Sequence, residues 1–158
     1  MQRPLAVLTP TPLRRVATLL ALAFGAAFLI WTAITASFET FAWRPLFLVL
    51  GLACMLFGAW VWRATEVALL LTEDALTDSA GRQLCRVDDI VKVDRGTFAF
   101  KPSNGFVVHL RAAGPRAWAP GLWWRLGRRL GVGGVTSGTE ARLMADMLTA
   151  IVEHRGET

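Results

Sequence analysis

The stretch VALLLTEDALTDSAGRQLCRVDDIVKVDRG, residues 67–96, decides the fold of the second half of the chain. Its apolar residues occur in short runs and at alternate positions, a pattern typical of β-strands rather than helices. The small residues Ser79-Ala80-Gly81 predict a tight turn between two strands. The pair Asp88-Asp89 predicts an interruption in the extended segment that follows. We therefore expect a series of short strands here.

Two apolar runs precede this region and predict a membrane hairpin. Residues 16–38 and residues 45–62 contain no charged residue. The loop between the two runs carries Glu39 and Arg44. A helix that crosses a bilayer needs about 20 such residues, and the second run lies near the lower limit. Aromatic residues near the predicted ends suit the membrane interface. They are Trp31, Phe41, Trp43, Trp60 and Trp62.

Composition and flanking charge place the protein in a membrane and orient it. The chain is 54% hydrophobic, which is high for a soluble protein, and the excess lies in the first 62 residues. The first run is longer than the core of a cleaved signal peptide, so we expect it to be retained. Arginines outside the two runs outnumber those in the connecting loop, which predicts that both termini are cytoplasmic at the inner membrane. They are Arg3, Arg14, Arg15 and Arg63, against Arg44 in the loop.

The predicted organisation has three parts. Residues 1–15 form an N-terminal cytoplasmic tail, residues 16–62 form the transmembrane hairpin, and residues 63–158 form a cytoplasmic domain. Within that domain, Phe98 and Phe100 precede a turn at residues 102–105, and a strand returns from Phe106 with alternating apolar residues. The S-x-x-E pattern from Ser137 predicts the start of an amphipathic helix. Its apolar stripe consists of Met144, Met147, Leu148, Ile151 and Val152.

Residues 67–96, following a two-helix hairpin, resemble the bacterial pleckstrin-homology-like domains anchored by two transmembrane helices. The resemblance rests on a strand that ends in Thr72, an acidic residue, a second strand, a glycine turn and the step Asp89-Ile90-Val91-Lys92-Val93. It covers residues 64–155 and implies an α+β membrane protein whose bent β-sheet or barrel is capped by a C-terminal helix. Such domains bind lipids, peptides or proteins, so the resemblance leaves function open.

Charge is segregated along the second half of the chain. Acidic residues are concentrated between Glu66 and Asp94, whereas the segment from Arg95 to Thr139 contains none. Within that segment, residues 119–134 read APGLWWRLGRRLGVGG. Placed on a helix, their leucines and Trp123 fall on one arc and their arginines on the opposite arc, which predicts a short amphipathic helix with interfacial chemistry.

Three interpretations of this segment stay open. Its apolar residues pack on the domain itself with the arginines in solvent, or it docks on the membrane surface, or it docks on a partner membrane protein. The candidate docking residues share aromatic or basic character. They are Arg116, Trp123, Trp124, Arg125, Arg128 and Arg129.

The sequence lacks a recognisable catalytic or metal-binding constellation. His109 is expected on the less apolar face of its strand and His154 on the last turn of the helix, with no ligand partner at metal-binding spacing. Cys54 and Cys85 lie in apolar or strand-like runs and are expected to be buried small residues. We therefore predict no enzyme activity, no cofactor and no metal. Nucleic acid is a poor fit, because the acidic strands share the domain and the anchor confines it to a membrane.

Two functions remain. The first is a membrane-anchored, non-catalytic interaction or assembly module acting on a larger membrane protein complex. The alternative is a domain that binds anionic lipid headgroups. The predicted partners are membrane lipids and either a membrane protein or further copies of the same chain.

Overall fold

The computed structural model describes residues 4–36, 43–95 and 102–156, with side chains to residue 155. The chain divides into two compact units. One contains residues 12–63, and the other combines residues 1–11 with residues 64–158. The expected interfacial Phe41, the loop residue Glu39, the flanking Arg3 and the strand residues Phe98 and Phe100 lie outside the described residues.

The first unit is a pair of long apolar helices. Helix α1 spans Pro12–Thr35 and α2 spans Trp43–Ala64, so each begins before the predicted apolar run. Pro12 occupies the first turn of α1, where its missing N–H is not needed. Both helices are long and apolar enough to cross a membrane, with mean hydropathy 2.1 and 2.0. The threonine hydroxyls of α1, such as those of Thr18 and Thr32, donate to carbonyl oxygens four residues earlier, which satisfies them in an apolar environment.

The two helices of this unit approach closely at Gly51. A Cβ at this position would lie 2.7 Å from the Ile30 side chain and 3.3 Å from the carbonyl oxygen of Ala26. Near the charged end of the pair, the guanidinium group of Arg15 donates a hydrogen bond of 2.8 Å to the carbonyl oxygen of Trp62. The same group lies 3.8 Å from the centre of the Trp62 ring. These contacts hold the helices as antiparallel neighbours, as the short loop predicts.

The second unit is a β domain of two antiparallel sheets and a C-terminal helix. The first sheet has the order β1-β2-β3-β4, and the second has the order β5-β6-β7. Its elements in the described residues are β1 Ala6–Leu8, β2 Leu69–Leu71, β3 Ala75–Asp78, β4 Gln83–Arg86, a 3-10 turn Val87–Asp89, β5 Ile90–Asp94, β6 Phe106–Ala119, β7 Trp123–Val132 and α3 Gly138–Gly156. The α+β class with two apolar helices ahead of the sheets is confirmed.

The N-terminal segment is part of the β domain, whereas the sequence suggested a tail. Strand β1 pairs antiparallel with β2, with Leu8 opposite Leu69, and Leu8 is fully buried. Further along, Pro10 bridges to Thr136, and the Thr11 N–H donates to the carbonyl oxygen of Val135 at 2.8 Å. Three residues of strand give too short a periodic pattern to be recognised in sequence, and the pairing partner lies beyond both helices.

Residues 67–95 fold largely as expected from the sequence. Strands β3 and β4 enclose the predicted turn, where Gly81 has a φ of +86° and the Asp78 carboxylate accepts a hydrogen bond of 2.7 Å from the Arg82 N–H. Asp88 and Asp89 lie in the 3-10 turn that separates β4 from β5. This turn lets the chain pass from the first sheet to the second.

Helix α3 covers the core of the β domain. Ala141, Met144, Ala145 and Leu148 are buried in the same cluster as the inner residues of both sheets. Met147 was expected on this apolar stripe, but it is exposed on the outer side of the helix. The buried stripe of α3 includes the small residues Ala141 and Ala145. It is therefore centred about one position before the predicted stripe.

The start of α3 differs from the predicted capping box. The Glu140 carboxylate accepts hydrogen bonds from the Thr9 N–H at 3.0 Å and from the Thr9 hydroxyl at 3.1 Å. Glu140 therefore ties the helix to the chain next to β1, which the sequence pattern alone does not reveal.

Candidate functional site: the β6–β7 ribbon

The segment predicted as an amphipathic helix is a β-strand. Strand β7 pairs with β6 along its length, from Phe106 opposite Val132 to Ala119 opposite Trp123. The helical interpretation was wrong because Gly127 and Gly131 each cost a helix about 1 kcal/mol relative to alanine. Pairing with a long neighbouring strand decides the conformation instead. We call the two strands from residue 112 to residue 128, with their turn, the ribbon.

The ribbon turns at Pro120-Gly121. The Leu122 N–H donates to the carbonyl oxygen of Ala119 at 3.1 Å, and Gly121 has a φ of +82°. Proline followed by a residue with positive φ is the signature of a type II turn. Pro120 and Gly121 are therefore the two central residues of the turn.

One side of the ribbon faces the core. Trp123 is only 3% exposed and belongs to the core cluster, together with Leu122. The Arg82 guanidinium lies 5.9 Å from the centre of the Trp123 ring. Trp123 is therefore a core residue of the β domain, and a docked membrane or protein surface would not reach it.

Arg125 lies on the same side and joins the ribbon to the first sheet. Its guanidinium donates a hydrogen bond of 2.8 Å to the carbonyl oxygen of Leu84, in the edge strand β4. It also lies over Gly114, where a Cβ would be only 2.2 Å from the guanidinium carbon. Glycine at this position therefore makes room for the arginine. Arg125 is half-buried and bridges the gap between the two sheets.

The opposite side of the ribbon is exposed and apolar. Trp118 and Trp124 are directly opposite each other on β6 and β7, and Trp118 is 51% exposed. Leu126, two residues further along, is 55% exposed. The indole of Trp124 lies against Gly131, where a Cβ would be 2.3 Å from the ring.

These outer residues form an open groove of about 480 Å³. Its lining residues are Arg116, Ala117, Trp118, Trp124, Arg125 and Leu126. An aromatic pair and an exposed leucine beside an arginine make a surface that suits an interface between water and an apolar phase. We call this surface the ribbon groove.

The predicted docking residues thus separate into three places. Arg116, Trp124 and Arg125 line the ribbon groove, Trp123 faces the core, and Arg128 and Arg129 are exposed beyond Gly127. At Gly127 the φ is +59°, and the side of β7 that faces the core changes from the odd to the even positions.

Sequence reasoning missed Trp118 and Leu126. It placed Leu126 on the apolar arc of the predicted helix but not among the candidate docking residues, and it did not consider Trp118. A strand interpretation would have placed Trp118 on the same face as Arg116, and Trp124 on the same face as Leu126.

The positive charges of the β domain fall into two groups. Arg86, Arg95 and Arg155 form ion pairs with Asp88, Asp146 and Asp74 elsewhere on the domain. Within residues 4–36, 43–95 and 102–156, another group has no ion pair or side-chain hydrogen bond. This group is Lys92, His109, Arg111, Arg116, Arg128 and Arg129.

The cysteine and histidine positions show no assembled metal site. Burial raises the pKa of Cys85 from 9.0 to about 12, because the thiolate would be desolvated. Its side chain is therefore a neutral thiol at physiological pH. Among the described residues, no group of three or more His, Cys, Asp or Glu side chains could hold a metal ion.

Comparison with known proteins gives no match to a family model, a curated protein or a solved structure.

Proposed function

We propose that this protein is a membrane-anchored, non-catalytic module whose β domain docks its ribbon groove on the anionic surface of the membrane that holds α1 and α2. The observation that carries the proposal is the exposure of Trp118 and Leu126 beside Arg116, on a ribbon whose other side is packed in the core. Tryptophan, leucine and arginine together favour the boundary between acyl chains and anionic headgroups.

The points where the chain leaves the β domain support this orientation. Thr11 directly precedes α1 and Thr65 directly follows α2. Thr11 is hydrogen-bonded to Val135, whose own N–H donates to the carbonyl oxygen of Gly121 at 2.9 Å. A Cβ at Gly121 would lie 3.2 Å from the Thr65 side chain. Both connections to the apolar helices therefore leave the domain beside the turn of the ribbon, which favours contact between the ribbon and the bilayer.

The pairing of β1 with β2 supports a hairpin topology. Strand β1 precedes α1 and β2 follows α2, and the two strands are hydrogen-bonded. If both helices cross the membrane, this pairing requires the two ends of the hairpin to emerge on the same side. The flanking arginines favour the cytoplasmic side. The proposed location is the inner membrane with both termini in the cytoplasm.

A pleckstrin-homology-like fold is part of the proposal. Two antiparallel sheets followed by a helix that covers the core are consistent with the fold implied by the resemblance of residues 67–96. In this chain the first strand would be separated from the second by the membrane hairpin.

A second candidate function is assembly with a larger membrane protein complex or with further copies of the chain. It is favoured by the outer side of α3, where Leu143 and Met147 are exposed one helical turn apart. Purification of the full chain in mild detergent tests this candidate. Recovery of the free monomer alone would contradict it, whereas a stoichiometric partner that the Leu143→Ala/Met147→Ala variant fails to retain would support it.

Hydrogen exchange of the full-length protein tests membrane docking. The protein is placed in nanodiscs of phosphatidylcholine alone or with about 30% phosphatidylglycerol, since anionic lipid attracts each nearby arginine by about 1 kcal/mol. We expect peptides from residues 112–126 to exchange more slowly in the anionic discs, and added salt to remove part of this protection.

Two variants complete the test of docking. Trp118→Ala/Leu126→Ala should lose the lipid-dependent protection, and Leu143→Ala/Met147→Ala, which removes two exposed apolar side chains elsewhere, should retain it. Equal exchange of residues 112–126 in both kinds of disc would reject docking of the ribbon groove.

A further inference from the structure

Three basic side chains form a row across the outer face of the second sheet. Lys92 on β5 is directly opposite His109 on β6, and His109 is directly opposite Arg129 on β7. Lys92 and Arg129 are exposed, and His109 is half-buried. The row lies beyond Gly127 along β7.

The row places two charged side chains on either side of a histidine. Lys92 and Arg129 are two strands apart, roughly 10 Å, and His109 lies between them. Elsewhere the domain pairs its arginines with aspartates, as in Arg95 with Asp146. In the part of the chain that the structure describes, the side chains of Lys92, His109 and Arg129 have neither an ion pair nor a hydrogen-bond partner.

Two of the three neighbouring positions towards the end of β5 are apolar. The next row towards the end of β5 consists of Asp94, Val107 and Gly131, and the Trp124 indole covers Gly131. Asp94 is the acidic residue closest to the row along β5. The three basic groups therefore adjoin a wall made by an indole and a buried valine.

We propose that Lys92, His109 and Arg129 bind a phosphate monoester. A monoester carries up to two negative charges and three terminal oxygen atoms, which matches three adjacent donors better than a singly charged diester does. Charge-assisted hydrogen bonds from lysine and arginine to phosphate are among the stronger ones in proteins. A ligand that binds the folded domain stabilises it, so binding and stability are coupled. The monoester belongs either to a lipid headgroup or to a soluble phosphate ester.

The two histidines of the chain make the site directly observable. His109 lies in the row, and His154 lies on the last turns of α3 and serves as an internal reference. Full-length protein with isotope-labelled histidine in phosphatidylcholine nanodiscs is titrated with glycerol 3-phosphate at constant pH. The imidazole signals are assigned with His154→Gln. We expect a saturable shift of the His109 signal while that of His154 stays unchanged.

Charge-matched variants separate a site from general attraction. Lys92→Gln or Arg129→Gln should each weaken binding about tenfold, as expected for one charged hydrogen bond. Arg142→Gln, which removes one exposed arginine on α3, should leave the affinity within about twofold. Without ligand, Lys92→Gln and Arg129→Gln should unfold no more readily than the parent protein, because both side chains are exposed.

A second arm identifies the source of the phosphate. Nanodiscs containing phosphatidic acid, a monoester, are compared with discs of equal charge containing phosphatidylglycerol, a diester. A His109 shift with phosphatidic acid supports a lipid source, and a shift only with glycerol 3-phosphate supports a soluble one. No saturable shift with either, or an equal loss of affinity in Arg142→Gln, would overturn the proposal. Binding of phosphatidic acid or of glycerol 3-phosphate at the row does not require the ribbon groove to dock on the bilayer, so the two proposals can fail separately.

Discussion

The guanidinium group of Arg125 donates a hydrogen bond of 2.8 Å to the carbonyl oxygen of Leu84. Leu84 lies in the edge strand of the first sheet, and Arg125 lies in the ribbon of the second sheet. A side chain thus satisfies a carbonyl of β4 that lies at the boundary between the sheets. The charged side chain of Arg125 therefore stabilises the fold, although the sequence pattern grouped this residue with the exposed arginines.

Replacing Arg125 with glutamine should destabilise the β domain. The Leu84 carbonyl oxygen would lose a charged donor, and an unsatisfied buried carbonyl costs about 1–3 kcal/mol. Arg128→Gln is the matched control and should change stability by no more than about 0.5 kcal/mol, because Arg128 is exposed. Hydrogen exchange of α3 amides in the full-length protein measures the opening of the domain. Equal exchange in both variants would contradict the structural role of Arg125.

Strand β1 should be essential to the stability of the β domain. Leu8 is fully buried whereas Val7 is 42% exposed on the other side of the strand. Leu8→Ala should cost about 2–5 kcal/mol, because it leaves a cavity in the core. Val7→Ala should cost much less. Thiol labelling of Cys85, which is buried, reports opening when Cys54 is replaced by alanine. Similar labelling rates in the two variants would argue against β1 as a core strand.

The two tryptophans on opposite sides of the ribbon should respond differently. Trp123→Ala should destabilise the domain by about 3–5 kcal/mol, as expected for a buried aromatic residue. Trp118→Ala should leave the free energy of unfolding within about 0.5 kcal/mol of the parent value. The same labelling of Cys85 measures both. A Trp118→Ala protein that unfolds as readily as Trp123→Ala would show that the outer side of the ribbon is structural.

Alkaline pH should weaken the domain through Cys85. Its pKa is about 12 in the folded protein, above the value of 9.0 for an exposed thiol, so the unfolded chain releases this proton first. The stabilising contribution is complete below pH 9 and is lost as the pH rises towards 12, by about 1 kcal/mol per pH unit. Urea unfolding at several pH values, compared between the parent and Cys85→Ala, isolates this slope. An identical pH dependence in the two proteins would contradict it.

Both termini should be accessible from the cytoplasm. A reporter that is active only in the cytoplasm should give a signal when fused to either end of the full chain, because β1 and β2 are paired. Activity of an exported reporter at the C-terminus would contradict the proposed topology and the orientation of the ribbon with it.

Residues 64–95 and α3 were predictable because local patterns determine them. Ser79-Ala80-Gly81 supplies its own turn, and Asp88-Asp89 interrupts the strand pattern at the 3-10 turn. The ribbon was not predictable in this way, because its arginines and leucines fit a helical wheel about as well as a strand. Pairing with β6, which depends on residues distant in sequence, decided between them.

The candidate site was predicted in composition but not in geometry. The sequence identified Arg116, Trp124 and Arg125, which line the ribbon groove, but it also included Trp123, which is buried in the core. The reversal of the pleat at Gly127 depends on one backbone angle. A periodic pattern extended across such a position assigns every later side chain to the wrong face.

The pairing of Leu8 with Leu69 also sets an order of events during synthesis. Strand β1 leaves the ribosome before either apolar helix, and its partner β2 leaves after both. A nascent chain that stops within the hairpin therefore holds an unpaired β1 with no sheet to join. The β domain can close its core only after the helical hairpin is complete. A folded domain therefore requires that both helices have been made and that their ends have come together.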